Sequence, residues 1–206
     1  MRQESYVSTQ VIGKNTLFKK AKIILPRLDI ELTERCNNNC IHCCINLPCS
    51  DPRAVKRESS TERIKNILRE SVSLGCFSVR FTGGEPLLRD DFKELYLFAR
   101  KLGLKVLLFT NAVLITPDLA ALFTRIPPLE KIEVSVYGMR KSSYEAVTRV
   151  PGSYAAARKG INLLLKNRIP FPCGFVPGIY HSPQHCPFFI VQVRIPDEIF
   201  PPYIRC

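Results

Sequence analysis

The sequence has 206 residues, of which 46% are apolar and 23% are charged. This balance is typical of a globular domain with a sizeable core and excludes a disordered chain. The net charge of +12 comes without a basic motif interleaved with aromatic residues. We therefore interpret it as a solvated basic surface and expect no nucleic-acid partner.

The sequence has no apolar stretch long enough to cross a bilayer, and its first ten residues lack the apolar core of a secretory signal. We therefore expect a cytoplasmic protein that makes no membrane contact. The chain has nine cysteines. Because an odd number in a reducing compartment argues against a disulfide framework, metal binding or redox chemistry explains these thiols better.

Strand-like and helix-like segments alternate after an N-terminal basic arm, residues 1–26, that shows no clear period. The alternation predicts an α/β domain with a parallel sheet. Before the first predicted helix, Ser59 and Glu62 have the spacing of a capping box. The predicted strands are 28–32, 77–82, 105–110, 131–136 and 169–175, and the predicted helices are 61–74, 91–102, a short one from 116, and 153–166.

The last part of the chain differs from the rest, because half of the 16 prolines lie after residue 169. Proline interrupts both strands and helices, so we expect residues 176–206 to form an irregular, Pro-rich tail. The core, residues 27–175, would then hold four or five β/α units and stop before the domain is complete.

A cysteine-rich loop follows the first predicted strand, with Cys36, Cys40 and Cys43 in a C-x3-C-x2-C spacing. Thiolates are soft ligands that suit iron–sulfur clusters and zinc. Three thiolates on a cubane would leave one iron open, as catalytic metal sites keep one position open. A structural zinc site is the alternative, because Cys44 or Cys49 could supply a fourth thiolate.

Polar and glycine-rich segments stand at the ends of the next strands. Gly83 and Gly84 would let a ligand approach the backbone closely, and Glu85 offers a carboxylate beside them. Thr110 and Asn111 end the following strand; taken alone, they are equally typical of a turn or a helix cap. Enzymes of the α/β class place their chemistry at such strand ends.

These motifs, in this order, resemble those of the radical S-adenosylmethionine (radical SAM) superfamily over about residues 28–170, most closely its SPASM-type, peptide-modifying branch. The cysteine spacing is that family's signature, and His42 stands where members carry an aromatic residue or histidine. The resemblance implies a partial (β/α)6, TIM-like barrel. It also implies a [4Fe–4S] cluster held by Cys36, Cys40 and Cys43, whose open iron binds S-adenosylmethionine.

The same resemblance implies roles for further residues in binding S-adenosylmethionine. His42 would flank the adenine, and Ser135 of the S-V-Y-G segment would contact the ribose or the carboxylate, with Tyr137 replacing the family's aspartate. Arg149 matches an arginine that grips the carboxylate, with a plain surface charge as the alternative. The amino group would be held by Gly83, Gly84, Glu85 and Pro86, and the family's T-N-G element corresponds to Thr110 and Asn111, followed by Ala112 in place of glycine.

The expected function is reductive cleavage of S-adenosylmethionine to a 5′-deoxyadenosyl radical that acts on a peptide or protein. A flavodoxin or ferredoxin would supply the electron. No side chain is expected to be catalytic, because the cofactors carry the chemistry. The alternatives are an inactive, truncated member of the family, or a zinc or iron–sulfur binding module without this chemistry.

Overall fold

The structure is a computed structural model that describes residues 25–45, 47–169 and the backbone of 173–175. The predicted tail, 176–206, and nearly all of the predicted N-terminal arm lie outside these residues. The strands are β1 (Arg27–Thr33), β2 (Arg35–Cys36), β3 (Leu47–Pro48), β4 (Ser78–Gly83), β5 (Lys105–Thr110), β6 (Leu129–Val136) and β7 (Cys173–Phe175). The helices are α1 (Pro52–Arg57), α2 (Thr61–Ser73), α3 (Phe92–Lys101), α4 (Pro117–Arg125), α5 (Lys141–Thr148) and α6 (Ser153–Lys166), and a 3-10 turn spans Pro86–Leu88.

Five strands form one sheet in the order β1-β4-β5-β6-β7, and each pair is parallel. Each new strand is added beside the previous one after a helical crossover, which is the order of a β/α barrel and not of a doubly wound sheet. The predicted α/β class and the partial barrel with about five units are confirmed. The strands β2 and β3 form a separate two-stranded ribbon around the cysteine loop.

The core lies between the sheet and its helices. Val79 and Phe81 of β4 are fully buried, as are Val106 and Leu108 of β5. Such central strands of a parallel sheet are apolar because they are covered on both faces. Phe81, Phe92, Tyr96 and Phe123 form a chain of ring contacts from β4 across α3 to α4.

The helix ends follow the residues that cap them. Helix α2 begins after Ser60, whose Oγ accepts a hydrogen bond from the backbone N–H of Arg63, so the predicted capping box at Ser59 is wrong by one residue. Helix α1, which was not predicted, is capped by Asp51 Oδ1 at 2.8 Å from Arg53 N. Among the described residues, no helix has the length and apolar character needed to span a membrane.

Candidate cofactor site

The cysteine loop lies at the carboxyl end of β1 and is attached to the end of α5. The backbone N–H of Asn39 donates to Thr148 O at 2.9 Å, and that of Ile41 donates to Val147 O at 3.0 Å. These bonds use carbonyls from the last turn of α5, which have no partner inside the helix. Helix α5 therefore fixes the loop that carries the three predicted cluster ligands.

The three thiols of Cys36, Cys40 and Cys43 lie close enough to influence one another. The pKa of Cys36 is raised to about 11, mainly by burial and also by the nearby charges of Glu85, Cys40 and Cys43, against a hydrogen bond from the backbone of Asn38 that lowers it. Burial, with a contribution from Cys43, also raises the pKa of Cys40 to about 11. Three thiolates are unfavourable here unless a positively charged body is bound among them.

The residues of the loop fit an iron–sulfur cluster. Within the described ranges, no three His, Cys, Asp or Glu side chains are arranged around a single metal ion. A cubane does not need that arrangement, because each thiolate binds a different iron. Asn38 is 5% exposed, and neither its Oδ1 nor its Nδ2 has a hydrogen-bond partner in the described part of the chain. An unpaired buried amide is costly, so a polar or ionic group beside it would be favourable.

Gly83 and Gly84 bring the end of β4 against the chain that leads into the cysteine loop. A Cβ atom on Gly83 would lie 2.3 Å from Thr33 O, and one on Gly84 would lie 2.1 Å from Arg35 O. The backbone N–H of Gly84 donates to Thr33 O at 2.7 Å, and that of Glu85 to Arg35 O at 2.8 Å. The sequence predicted that these glycines would let a ligand approach the backbone closely. In the structure, the group that packs closely against their Cα atoms is the protein's own backbone at Thr33 and Arg35.

Glu85 is fully buried and joins the ends of β4 and β5. Its Oε1 accepts from Thr110 Oγ1 at 2.9 Å and from Leu87 N at 3.1 Å, and its Oε2 accepts from Asn111 N at 2.8 Å. Burial raises the pKa of this carboxyl to about 7, although all three hydrogen bonds lower it. Pro86 follows as the first residue of the 3-10 turn and is also buried.

Thr110 and Asn111 connect this junction to the cysteine loop. Asn111 Nδ2 lies 2.7 Å from Asn37 Oδ1, to which it donates, and 3.8 Å from Cys36 Sγ. Ala112 has a φ of 62°, in the left-handed region that favours glycine. The backbone conformation expected from the family's T-N-G element is therefore present despite the alanine.

Tyr137, which replaces the family's aspartate, is a neighbour of the cysteine loop that sequence reasoning missed. Its hydroxyl lies within hydrogen-bonding reach of Ser135 and of the Cys40 thiol, and burial raises its pKa well above the ordinary value. The ring centroids of Tyr137 and His42 are 5.3 Å apart. Burial lowers the pKa of His42 and favours the neutral imidazole.

Arg149, Cys44 and Cys49 are exposed. Arg149 is the C-cap residue of α5, with a φ of 55°, and its side chain has no ion pair with a described residue. It directly follows Thr148, which accepts from the cysteine loop. The structure thus brings Cys36, Cys40, Cys43, His42, Gly83, Gly84, Glu85, Thr110, Asn111 and Ser135 to one edge of the sheet and leaves Arg149 at its rim.

A partly buried ionic network, also missed from the sequence, supports the entrance to the loop. Arg35 Nε donates to Glu58 Oε1 at 2.6 Å, and Arg89, 7% exposed, lies 3.7 Å from Glu58 Oε2. Arg89 also pairs with Asp91 at 2.6 Å and donates to Leu32 O at 3.1 Å. The sequence does not reveal this network, because Arg35, Glu58 and Arg89 are distant along the chain.

Comparison with known proteins identifies the family of the chain. Residues 30–185 match the radical SAM superfamily. The AdoMet-dependent heme synthase of Methanosarcina barkeri is 33% identical over 141 residues, covering 68% of this chain and 39% of that protein. Mycofactocin maturase MftC of Mycolicibacterium smegmatis is 35% identical over 134 residues, covering 65% of this chain and 33% of that protein.

The fold is shared with solved barrels. Streptococcus suis SuiB, in its complex with precursor peptide SuiA, has a TM-score of 0.62 and 19% identity, over 76% of this chain and 34% of SuiB. This chain therefore spans less than half the length of these three proteins. The match to the family covers most of the chain, including the second half of β1, the cysteine loop and the other four strands of the sheet. The chain belongs to the radical SAM superfamily, a family of enzymes that bind S-adenosylmethionine and an iron–sulfur cluster.

Proposed function

We propose that this chain carries the cluster-binding and S-adenosylmethionine-binding part of a cytoplasmic radical SAM enzyme that modifies a peptide or protein. The observation that supports this most directly is the position of three mutually interacting thiols on one loop. That loop adjoins the ends of β4, β5 and β6, where a barrel enzyme binds its ligands.

Cys36, Cys40 and Cys43 would hold a [4Fe–4S] cluster. When bound, the cluster and S-adenosylmethionine supply a 5′-deoxyadenosyl radical, which is the reactive species of the proposed reaction. The chain's own residues bind, orient and shield. Tyr137 covers one side of the loop through Cys40 and His42, and Asn111 covers the other through Asn37 and Cys36.

The remaining roles concern S-adenosylmethionine. The turn of Gly83, Gly84 and Pro86 would hold the amino group of S-adenosylmethionine. The Glu85 carboxylate already accepts three hydrogen bonds from the protein, so Glu85 would contribute by fixing the conformation of this turn. An ammonium group needs acceptors, and backbone carbonyls supply them. The adenine would lie against His42, polar contacts would come from Thr110, Asn111 and Ser135, and Arg149 would pair with the carboxylate.

A peptide or protein substrate is supported by two of the similar proteins. One is named a mycofactocin maturase, and another was solved with a precursor peptide. The heme synthase acts on a different class of compound, so peptide chemistry is the specific part of the proposal. A flavodoxin or ferredoxin is the proposed electron donor.

The test of the cluster uses two sets of cysteine variants. Cys36→Ala, Cys40→Ala and Cys43→Ala should each abolish assembly of the cluster, because two thiolates cannot hold a cubane. Cys44→Ala and Cys49→Ala are the matched controls and should retain the iron. The measurements are iron content and visible absorbance after anaerobic reconstitution. If Cys44→Ala removes the iron, or zinc is the only metal bound, the proposed ligand set is wrong.

The test of S-adenosylmethionine binding uses the reconstituted protein. Adding the compound should change the electron paramagnetic resonance spectrum of the reduced cluster, because the fourth iron has no protein ligand. A bulky replacement at Gly84 should weaken this change. An unchanged spectrum at saturating S-adenosylmethionine would favour a binding module without this chemistry.

A further inference from the structure

The positive charge of the described protein is concentrated on α5 and α6. Residues 140–168 contain seven basic residues and a single acidic one, Glu145, whereas residues 58–101 contain eight basic and seven acidic residues. The seven are all exposed, and none forms an ion pair with a described residue. One of the seven is Arg149, which the proposed function assigns to S-adenosylmethionine. The other six form what we call the basic face: Arg140, Lys141, Arg158, Lys159, Lys166 and Arg168.

One end of the basic face, formed by α5 and the start of α6, is attached to the cysteine loop. Tyr154 at the start of α6 donates from its hydroxyl to Met139 O at 2.7 Å, and the guanidinium of Arg158 lies 5.6 Å from its ring centroid. The ring of Tyr144 in α5 lies between those of Tyr154 and Tyr137, with centroids 5.7 and 5.6 Å away. Tyr137 in turn contacts Cys40 and His42. A chain of packed rings therefore connects the basic face to a predicted cluster ligand.

The surface beside the basic face also carries exposed apolar side chains. Ile41 of the cysteine loop is 53% exposed, and Met139, directly before Arg140, is 41% exposed. On α6, a shallow depression of about 450 Å³ is lined by Tyr154, Arg158, Lys159 and Lys166, among others. A few apolar groups with a charged rim are typical of surfaces that bind another protein transiently.

We propose that the basic face is the docking surface for a small acidic electron-transfer protein that reduces the cluster. The inference rests on the proposed function, because it assigns a partner to the same cluster. Unpaired cations attract an acidic partner and speed its association. The partner fits better than an acidic peptide, because the α5 end of the surface adjoins the cysteine loop. Electron transfer requires that proximity.

The test measures reduction of the reconstituted cluster by reduced flavodoxin, used as the acidic probe, in stopped flow at low salt. The face variants are Arg140→Glu/Lys141→Glu and Arg158→Glu/Lys159→Glu. Each should slow the second-order reduction by roughly tenfold or more and flatten its dependence on salt. The matched control is Arg63→Glu/Lys93→Glu, which changes the net charge equally on exposed positions of α2 and α3 and should have less than about a threefold effect.

Dithionite separates failure of docking from failure of the cluster. It is small and needs no docking surface, so it should reduce the cluster at the same rate in all variants. Equal slowing by face and control variants would reduce the effect to net charge and overturn the proposal. Unchanged flavodoxin rates in the face variants would also overturn it.

A binding measurement tests the surface even if no cluster forms. Oxidised flavodoxin should bind the apo chain in calorimetry, and the face variants should weaken that binding by roughly tenfold while the control does not. If the variants weaken binding of an acidic model peptide but not of flavodoxin, the surface serves peptides and the proposal is wrong. Failure of cluster assembly with intact flavodoxin binding would count against the proposed function alone.

Discussion

Glu85 is a carboxylate that the fold buries completely and then surrounds with donors. Thr110, Asn111 and Leu87 all donate to it, so the ends of β4 and β5 are assembled around one side chain. The family resemblance implied that Glu85, with the two glycines before it, would help to hold the amino group of S-adenosylmethionine. The sequence could not show that two donors to its carboxylate, Thr110 and Asn111, would come from the end of β5. Those contacts exist only once β4 and β5 are parallel neighbours.

The titration of Glu85 should appear in the pH dependence of stability. Burial raises its folded-state pKa from the ordinary 4.5 to about 7. Between pH 4.5 and pH 7, Glu85 is therefore protonated in the folded state and ionised in the unfolded state. The stabilisation is complete below about pH 4.5 and is lost as the pH rises through 7. We expect the free energy of unfolding of the apo protein to fall by roughly 2–3 kcal/mol from pH 5 to pH 8 because of this group.

Glu85→Gln isolates this contribution. The variant should lose most of the slope between pH 5 and pH 8. At pH 5 it should be less stable than the parent by about 1–3 kcal/mol, because its amide nitrogen must face the N–H of Leu87 or of Asn111. Glu70→Gln, an exposed change on α2, is the control and should keep the parent's slope. Chemical denaturation across this pH range measures both quantities, and equal slopes for Glu85→Gln and the parent would refute the assignment.

At the scale of elements, the sequence predicted the long, periodic segments and missed the short ones. Helices α2, α3 and α6 have one apolar stripe over ten or more residues, and their predicted positions are confirmed to within one or two residues. Helix α5 has only eight residues and no side-chain cap, so its pattern is too short to recognise. Yet α5 carries the carbonyls that hold the cysteine loop, so the missed element is the one that positions the candidate site.

Helix α6 packs closely against the segment after β5 because it has a glycine, Gly160, at the point of contact. A Cβ atom on Gly160 would lie 1.9 Å from Ala112 O, directly after the Thr110–Asn111 turn. On an isolated helix Gly160→Ala would be stabilising by about 1 kcal/mol. We expect the opposite here, a loss of about 1–3 kcal/mol, because backbone and helix must separate. Asn162→Ala on the exposed face of α6 is the control and should be neutral or stabilising; a higher melting temperature for Gly160→Ala would contradict the packing.

At the scale of the whole molecule, the parallel strands and their order could be predicted because β/α alternation permits few topologies. The site residues lie at strand ends for the same reason. The sequence could not show how the cysteine loop is connected to the ends of β5 and β6. Asn111, after β5, contacts Asn37, and Tyr137, after β6, contacts Cys40. Both are side-chain contacts between segments that are distant along the chain.

These links couple the bound cluster to particular parts of the fold. In the apo protein, Cys36 and Cys40 keep their protons because burial raises their pKa to about 11, so no ligand joins the thiols, and the buried amide of Asn38 is unpaired. Cluster binding replaces the protons and joins the three sulfurs through one body, so it should stabilise the loop and the two bonds from Asn39 and Ile41 to the end of α5. Amide hydrogen exchange of reconstituted and apo protein should therefore differ most at residues 36–43 and 144–149, by roughly tenfold or more in rate for about 1.4 kcal/mol of local stabilisation.

The central strands β4 and β5, buried on both faces, should exchange slowly in both forms. Equal slowing along the whole chain would mean that the cluster stabilises the fold globally, and no slowing at 144–149 would show that α5 does not support the site.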